Sequence, residues 1–488
     1  MPRILLALVA CGALFAQDPK PEAQKAEAPK AEPKPERRGF GTPDAPFQSD
    51  VARLIREIGE HGQAYANLEE MCDDIGPRLT GSQKLRDAQR WAMDKLKGYG
   101  AVNVHEEPYA FAKAWVRGQD HARLLNANGQ DLHIAQMAWS PSTGGAVKGE
   151  VHLLDVKTMD ELKAALPGLE GKIVLQLGLP RPTAEQRKDV MTFYRELSSL
   201  IASAKFKLLL RDVGRKDDLM NMTGSPNPRW GATTTPTAFI ASEHANLLKR
   251  LAARGKKPEI EAELGGSFSK EPVKAYNVVA EIRGSEKPEE VVLVGGHQDS
   301  WDLGTGATDN GTGTVAAMEV LRAINALGLK PRRTLRVVLF SGEEEGLLGS
   351  EAYAKAHEAD AANLQAVLVD DMGSGKIKGW PDMGQEVYRA PLAAAMVPAN
   401  QLGATEIGPF TMPGATDHWP FHQQGVPAFA ATQEELDYMS KTHHSQVDTL
   451  DHVVKEDLTQ GCQVMAATAW GLLNGERLPH HAPAAKGK

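Results

Sequence analysis

His297 and Asp299 follow the apolar run VVLV at 291–294, Glu343 and Glu344 follow VVLF at 337–340, and Asp370 and Asp371 follow AVLV at 366–369. Asp309 stands in the glycine-rich loop GTGATDNGTG at 304–313, and His443 and His444 stand in a later loop. Imidazoles and carboxylates without a thiolate suit hard and borderline divalent ions, zinc first, with manganese and cobalt as replacements. Two such ions about 3.5–4 Å apart need one carboxylate that gives an oxygen to each, and such a pair activates water for hydrolysis. Each fragment alone has a plainer explanation. A histidine after a strand is commonly a hydrogen-bonded packing residue, adjacent glutamates commonly open a solvated helix, and Asp-Asn-Gly is a good turn. Their recurrence at successive strand ends is what points to a site.

The elements that must position these groups are legible from periodicity. The three apolar runs have the unbroken texture of strands buried on both faces of a parallel sheet. Between the first two, Val315, Met318, Leu321 and Ile324 recur every three residues, and Gly328 and Pro331 close a helix. The expected fold is α/β, a mostly parallel central sheet flanked by helices, with its site beyond the carboxyl ends of the strands. Helical spacing at 49–98, with Leu85, Trp91, Met93 and Leu96, gives further helices stopped by Gly98 and Gly100. From 135 to 264 the texture turns to short β-rich runs divided by Gly and Pro, which reads as an inserted domain. No His-plus-carboxylate group at ligand spacing occurs in it, so it is expected to shape access. The resulting division is 1–16 export signal, 17–45 spacer, 46–134 first part of the catalytic domain, 135–264 insert, 265–478 catalytic domain and 479–488 tail.

A formal charge of -8 without a cluster of Lys and Arg in the body of the chain argues against nucleic acid as a partner. At the start, Arg3 precedes a nearly all-apolar stretch from 4 to 15 and the small Ala16, the pattern of a cleaved export signal. That stretch is too short to span a membrane. A second cut is conceivable at Leu-Val-Ala-Cys, residues 8–11, which would leave Cys11 acylated as a lipoprotein anchor. Either way the chain is expected to leave the cytoplasm, as a periplasmic, secreted or lipid-anchored protein. The Lys-, Glu-, Pro- and Ala-rich segment that follows has nothing to bury. Cys72 and Cys462 read as two buried thiols; sequence alone does not bring them within bridging reach.

Five ordered segments carry a likeness to a known family: GGHQDSWDLGTGATDNGTG at 295–313, SGEEEGLLGS at 341–350, LVDDMG at 368–373, GATDHWPFHQQGVPAF at 414–429 and HHSQVDT at 443–449, with GPRLTGS at 76–82 as a further signature. They resemble the co-catalytic zinc exopeptidases that include carboxypeptidase Q, glutamate carboxypeptidase II and bacterial leucyl aminopeptidases. His-x-Asp-Ser-Trp-Asp followed by Gly-x-Gly-Ala is most similar to the carboxypeptidase Q branch. The insert, with GKIVL at 171–175 and TPTAFIASEHANLL at 235–248, is similar to a protease-associated domain. The resemblance implies two Zn2+ ions per chain. Asp309 bridges them, His297 and Asp371 complete one site, and Glu344 with His444 the other. Asp371 is preferred to Asp370 because the family's ligand directly precedes such a Met-Gly turn, and His444 to His443 because the family's ligand stands immediately before Ser or Thr. Glu343 is the implied general base, His443 an oxyanion donor, and Asp299 the acceptor for the second ring nitrogen of His297. Asp448 either braces the His444 loop or caps a turn, and Glu345 reads as solvated. The bond between Asp309 and Asn310 is implied to be cis, and the assembly a homodimer.

The expected reaction is hydrolysis of short peptides or dipeptides. Two other outcomes share the fold: a mono-zinc acyltransferase of the glutaminyl cyclase kind, and a non-catalytic receptor-like module. The first needs only Asp309, Glu344 and His444, and the second usually lacks ligands or base. Trp301, Asp302, Asp417, His418, Trp419 and Tyr438 are candidates for the pocket wall, each equally explicable as packing or a loop cap.

Overall fold

The computed structural model describes residues 45–226, 234–409 and 416–483. The expected signal, Cys11 and the spacer up to residue 44 lie outside them. Three of the central strands are those read from the apolar runs: β3 (Lys287–His297), β4 (Arg333–Phe340) and β5 (Leu364–Val369). Together with β1 (Val102–Val116), β2 (Ser267–Ile282) and β6 (Ala428–Ala430) they form a six-stranded sheet in the order β1-β2-β4-β3-β5-β6. The half that carries the candidate residues is parallel, β4 to β3 to β5 to β6, and β1 and β2 close the other edge antiparallel.

Side chains alternate between two cores, as the strand period requires. Val292, Val294, Val337, Leu339, Ala366 and Leu368 pack against helices α1 (Ala45–His61), α3 (Thr312–Ala326) and α5 (Lys455–Asn474). Leu293, Val338, Phe340, Val367 and Val369 face the other way, onto Tyr353 of α4 (Leu348–Ala356) and onto Phe421. Between these, α2 (Gln83–Gly98) opens on Ser82, whose hydroxyl accepts the Leu85 amide at 3.1 Å, and the chain leaves it through Gly100 at φ 81°.

Glycine lets α3 start hard against the strand ends. A Cβ on Gly313 would lie 2.1 Å from the Asp370 carbonyl oxygen, and one on Gly296 would lie 2.8 Å from the Gly313 carbonyl carbon. The helix therefore begins where the three strands deliver their polar residues.

A second sheet of eight strands occupies the chain between β1 and β2. The change of texture was read at residue 135, but the first strands of this sheet are His121–Leu124 and Asp131–Leu132, earlier in the chain. Strands of four and two residues are too short to show a period. Cys72 and Cys462 are free and buried. Among the described residues no helix is long and apolar enough to cross a membrane.

Candidate metal centre

His297 is the last residue of β3 and is fully buried. Its Nε2 lies 3.2 Å from Asp371 Oδ1, 3.4 Å from Asp309 Oδ1 and 3.7 Å from Glu343 Oε2. The other oxygen of Asp309 lies 3.6 Å from His444 Nε2, and that nitrogen lies 3.0 Å from Glu344 Oε2. Asp309 thus turns one oxygen to each histidine. Among the described residues two groups have donor atoms close enough to hold an ion, His297 with Asp309 and Asp371, and Asp309 with His443 and His444. Asp309 belongs to both, and Asp370, Glu343 and the expected ligand Glu344 belong to neither. His443 stacks on His444 with ring centroids 3.8 Å apart, so it competes with Glu344 for the second group.

The surroundings depart from expectation in three places. His297 Nδ1 lies 3.0 Å from the backbone carbonyl of Asp299, whereas the Asp299 carboxylate is 3.6 Å away, beyond a good hydrogen bond. That carboxylate instead accepts the Thr80 hydroxyl at 3.0 Å, so a main-chain oxygen two residues on orients the ring. Glu345, read as solvated, is buried, with no hydrogen bond to either oxygen. The chain reverses just after it, through Gly346 at φ 106° and Leu347 at φ 62°, which tucks the side chain toward Asp299 and Thr80. Asp448 braces the Asp309 loop: Oδ1 accepts the Thr308 amide and hydroxyl at 2.7 and 2.8 Å, and Oδ2 the Asp309 amide at 3.2 Å. The Asp309–Asn310 peptide is cis.

Sequence reasoning assigned no role to Arg78, the charged residue of the GPRLTGS segment. It is fully buried and donates to the carbonyls of Gln298 at 2.7 Å, Thr305 at 2.6 Å and Gly306 at 2.7 Å. These contacts fasten the loop that joins His297 to Asp309.

Residues 277–469, which contain every one of these candidate ligands, match the family model described as Peptidase family M28. Carboxypeptidase Q of Bos taurus is 32% identical over 438 residues, 88% of this chain and 90% of that protein. The chain belongs to peptidase family M28. Among solved structures, the Peptidase M28 precursor from Shewanella amazonensis superposes with a TM-score of 0.78 at 29% identity, over 90% of this chain and 100% of that one. BSAP, a zinc aminopeptidase from Bacillus subtilis, shares the fold with a TM-score of 0.65 at 19% identity, over 85% of this chain and 95% of that one. This M28 chain is a zinc-dependent exopeptidase, a hydrolase.

Crowded acids dominate the electrostatics of the M28 site. Burial, with Asp309 adding repulsion, pushes Glu344 up to about 8, and burial pushes Asp417 to about 8. Asp370 and Asp448 rise to about 7, again through burial first and then through Asp371 and Asp309 respectively. Burial holds Glu343 well above the usual carboxylate range, with Asp371 and Asp417 reinforcing it. For Asp309 burial is outweighed by His297, His443 and His444, which hold it low. Burial takes His443 and His418 down to about 3, with a neighbouring imidazole helping in each case.

A stability prediction follows for metal-free M28 protein. Acids raised in the folded state keep protons that the unfolded chain has released, so their contribution falls as pH climbs from about 4 to 8. The lowered histidines, His443, His418 and His422 among them, act oppositely, but only below about 6.5. Between about pH 6.5 and 8 the raised acids act in the same direction as His297, which despite the cost of burial is held well above the imidazole range by Asp371 and Glu343, and each retained proton costs about 1.4 kcal/mol per pH unit. The thermal midpoint of chelator-stripped protein is expected to fall across that window and to recover on adding zinc. A midpoint that rises or stays level, measured by differential scanning calorimetry, refutes the charge balance described here.

The pocket candidates divide. Trp301 presents an edge to His444 at 5.8 Å and Tyr438 an edge to His443 at 5.1 Å, so both adjoin the site. Asp302 is taken up by Arg117, at 2.8 and 2.9 Å. Trp419 stacks on His422 at 5.2 Å, as packing, and Asp417 and His418 are fully buried.

Proposed function

We propose that this peptidase is an exported di-zinc exopeptidase that hydrolyses short peptides, dipeptides included. The observation that carries the reading is Asp309, whose two oxygens face different histidines and whose Oδ2 is buried without a hydrogen bond, as a shared ligand requires. The donor set fits zinc, having imidazoles and carboxylates only. His297 and Asp371 would hold one ion and Glu344 and His444 the other, with Asp309 common to both. When bound, the pair supplies an acidified water and polarises the scissile carbonyl.

The chain's own groups do the rest. Glu343 Oε2 stands 3.7 Å from His297 Nε2, farther than the oxygens of Asp371 and Asp309, which suits a general base beside the ligands. It would take the proton of the attacking water and return it to the leaving amine. His443, kept neutral by burial, retains a ring N–H to donate to the developing oxyanion. Arg215, in the loop after the strand Leu208–Asp212, lies close enough for its charge to help lower His443. A guanidinium there favours substrates with a free carboxylate. Amidating the C-terminus of a dipeptide is expected to raise KM about tenfold or more, whereas acetylating its N-terminus raises it less. The reverse order in a panel of free and blocked dipeptides rejects this polarity.

We read the second sheet as a protease-associated domain and residues 1–16 as the removed signal; N-terminal sequencing of mature protein beginning at Gln17 supports the latter. Native mass spectrometry is expected to count two zinc ions per chain, and a chelator to abolish dipeptide hydrolysis. A single ion without hydrolysis rejects the di-zinc reading.

A further inference from the structure

His444 adopts φ 54°, a left-handed conformation uncommon for a residue with a Cβ though better tolerated by histidine than by most, and contacts from outside the loop hold it there. What presses on this loop is the second sheet's unit. The Met222 amide donates to the His444 carbonyl at 2.9 Å, and Asn221 and Ser445 form an antiparallel bridge. Gln446 completes the seam with its side chain, whose Oε1 accepts the Met220 amide at 2.8 Å and whose Nε2 donates to the Asp218 carbonyl at 2.9 Å. Next to it, the Ser225 hydroxyl donates to the Glu345 carbonyl at 3.1 Å, one residue beyond Glu344. Both residues assigned to the second ion thus lie within two positions of a contact from the second unit. For His297 and Asp371 the neighbours are different: His297 ends β3 and Asp371 stands two residues beyond the end of β5, at the edge of the central sheet.

We propose that Gln446 is a positioning residue for His444, through which the second unit sets the affinity of one of the two ion sites and leaves the other alone. The proposal rests on the two-ion reading above. Gln446 does not touch substrate or ion; it acts by fixing the backbone of the loop two residues behind the ligand. Outer contacts of this kind commonly change metal affinity about tenfold to a hundredfold.

The test is a titration of chelator-stripped protein with Zn2+ and, for its absorption spectrum, with Co2+. Wild type is compared with Gln446→Ala and with Gln446→Met, which keeps the side-chain length and loses both hydrogen bonds. The expected result is one binding step weakened about tenfold to a hundredfold, with an altered Co2+ spectrum for that step and an unchanged other step. Gln446→Glu, which keeps the acceptor for Met220 and loses the donor, is expected to fall between. Two steps equal to wild type in both the Ala and Met variants overturn the proposal. So does an equal weakening of both steps, the mark of general loosening. Wild-type protein that binds a single ion overturns the two-ion reading instead, and this proposal with it.

Discussion

The Glu343→Ala variant is expected to keep both proposed ions bound while its kcat falls at least about a hundredfold. The expectation comes from position. Glu343 follows β4, and its Oε2 comes no nearer than 3.7 Å to His297 Nε2, farther than the oxygens of Asp371 and Asp309. Removing it takes away a proton acceptor and leaves every proposed ligand in place. General acid–base assistance is typically worth about a hundredfold to ten-thousandfold, because the proton must leave water as the carbonyl is attacked and reach the amine as it departs. Metal content by plasma mass spectrometry and steady-state kinetics on a dipeptide check the two halves separately. Full activity removes Glu343 from the mechanism, and loss of an ion makes it a ligand.

Asp309→Ala is expected to do more damage than any other single change. One oxygen lies 3.4 Å from His297 Nε2 and the other 3.6 Å from His444 Nε2, so both donor groups lose a member together. The variant should bind one ion at most and lose more than about a hundredfold in activity, since even an outer-contact change costs up to about that much. Asp371→Ala serves as the comparison, because it takes a ligand from one group alone. Retention of two tightly bound ions by the Asp309 variant ends the shared-carboxylate reading.

The sequence carried the parallel half of the sheet and its polar ends for a simple reason. Strands buried on both faces must be apolar without interruption, so the residue at which the run breaks is visible, and His297, Glu343 and Asp371 stand within three residues of such a break. Asp309 stood out through its glycines, which the packing of Gly313 on Asp370 explains. The partners of these groups were far less legible. Whether His297 bonds the main chain or the side chain of Asp299 depends on tenths of an ångström. Glu345 looked solvated because three successive acids suggest solvent, and only the reversal at Gly346 and Leu347 turns it inward. Arg78 lies more than two hundred positions from the loop it grips, a separation that no local pattern reports.

Arg78 and Asp448 hold the two ends of one loop, the stretch that presents His297 and Asp309. Arg78 is made long before Asp448, with every strand of the central sheet lying between them in sequence. A ribosome-bound chain that has already extruded most of the central sheet still lacks Asp448, and with it His444. On the two-ion reading, hydrolytic competence therefore waits until residues 444–448 have been made, and a chain cut short before them is expected to leave peptides intact.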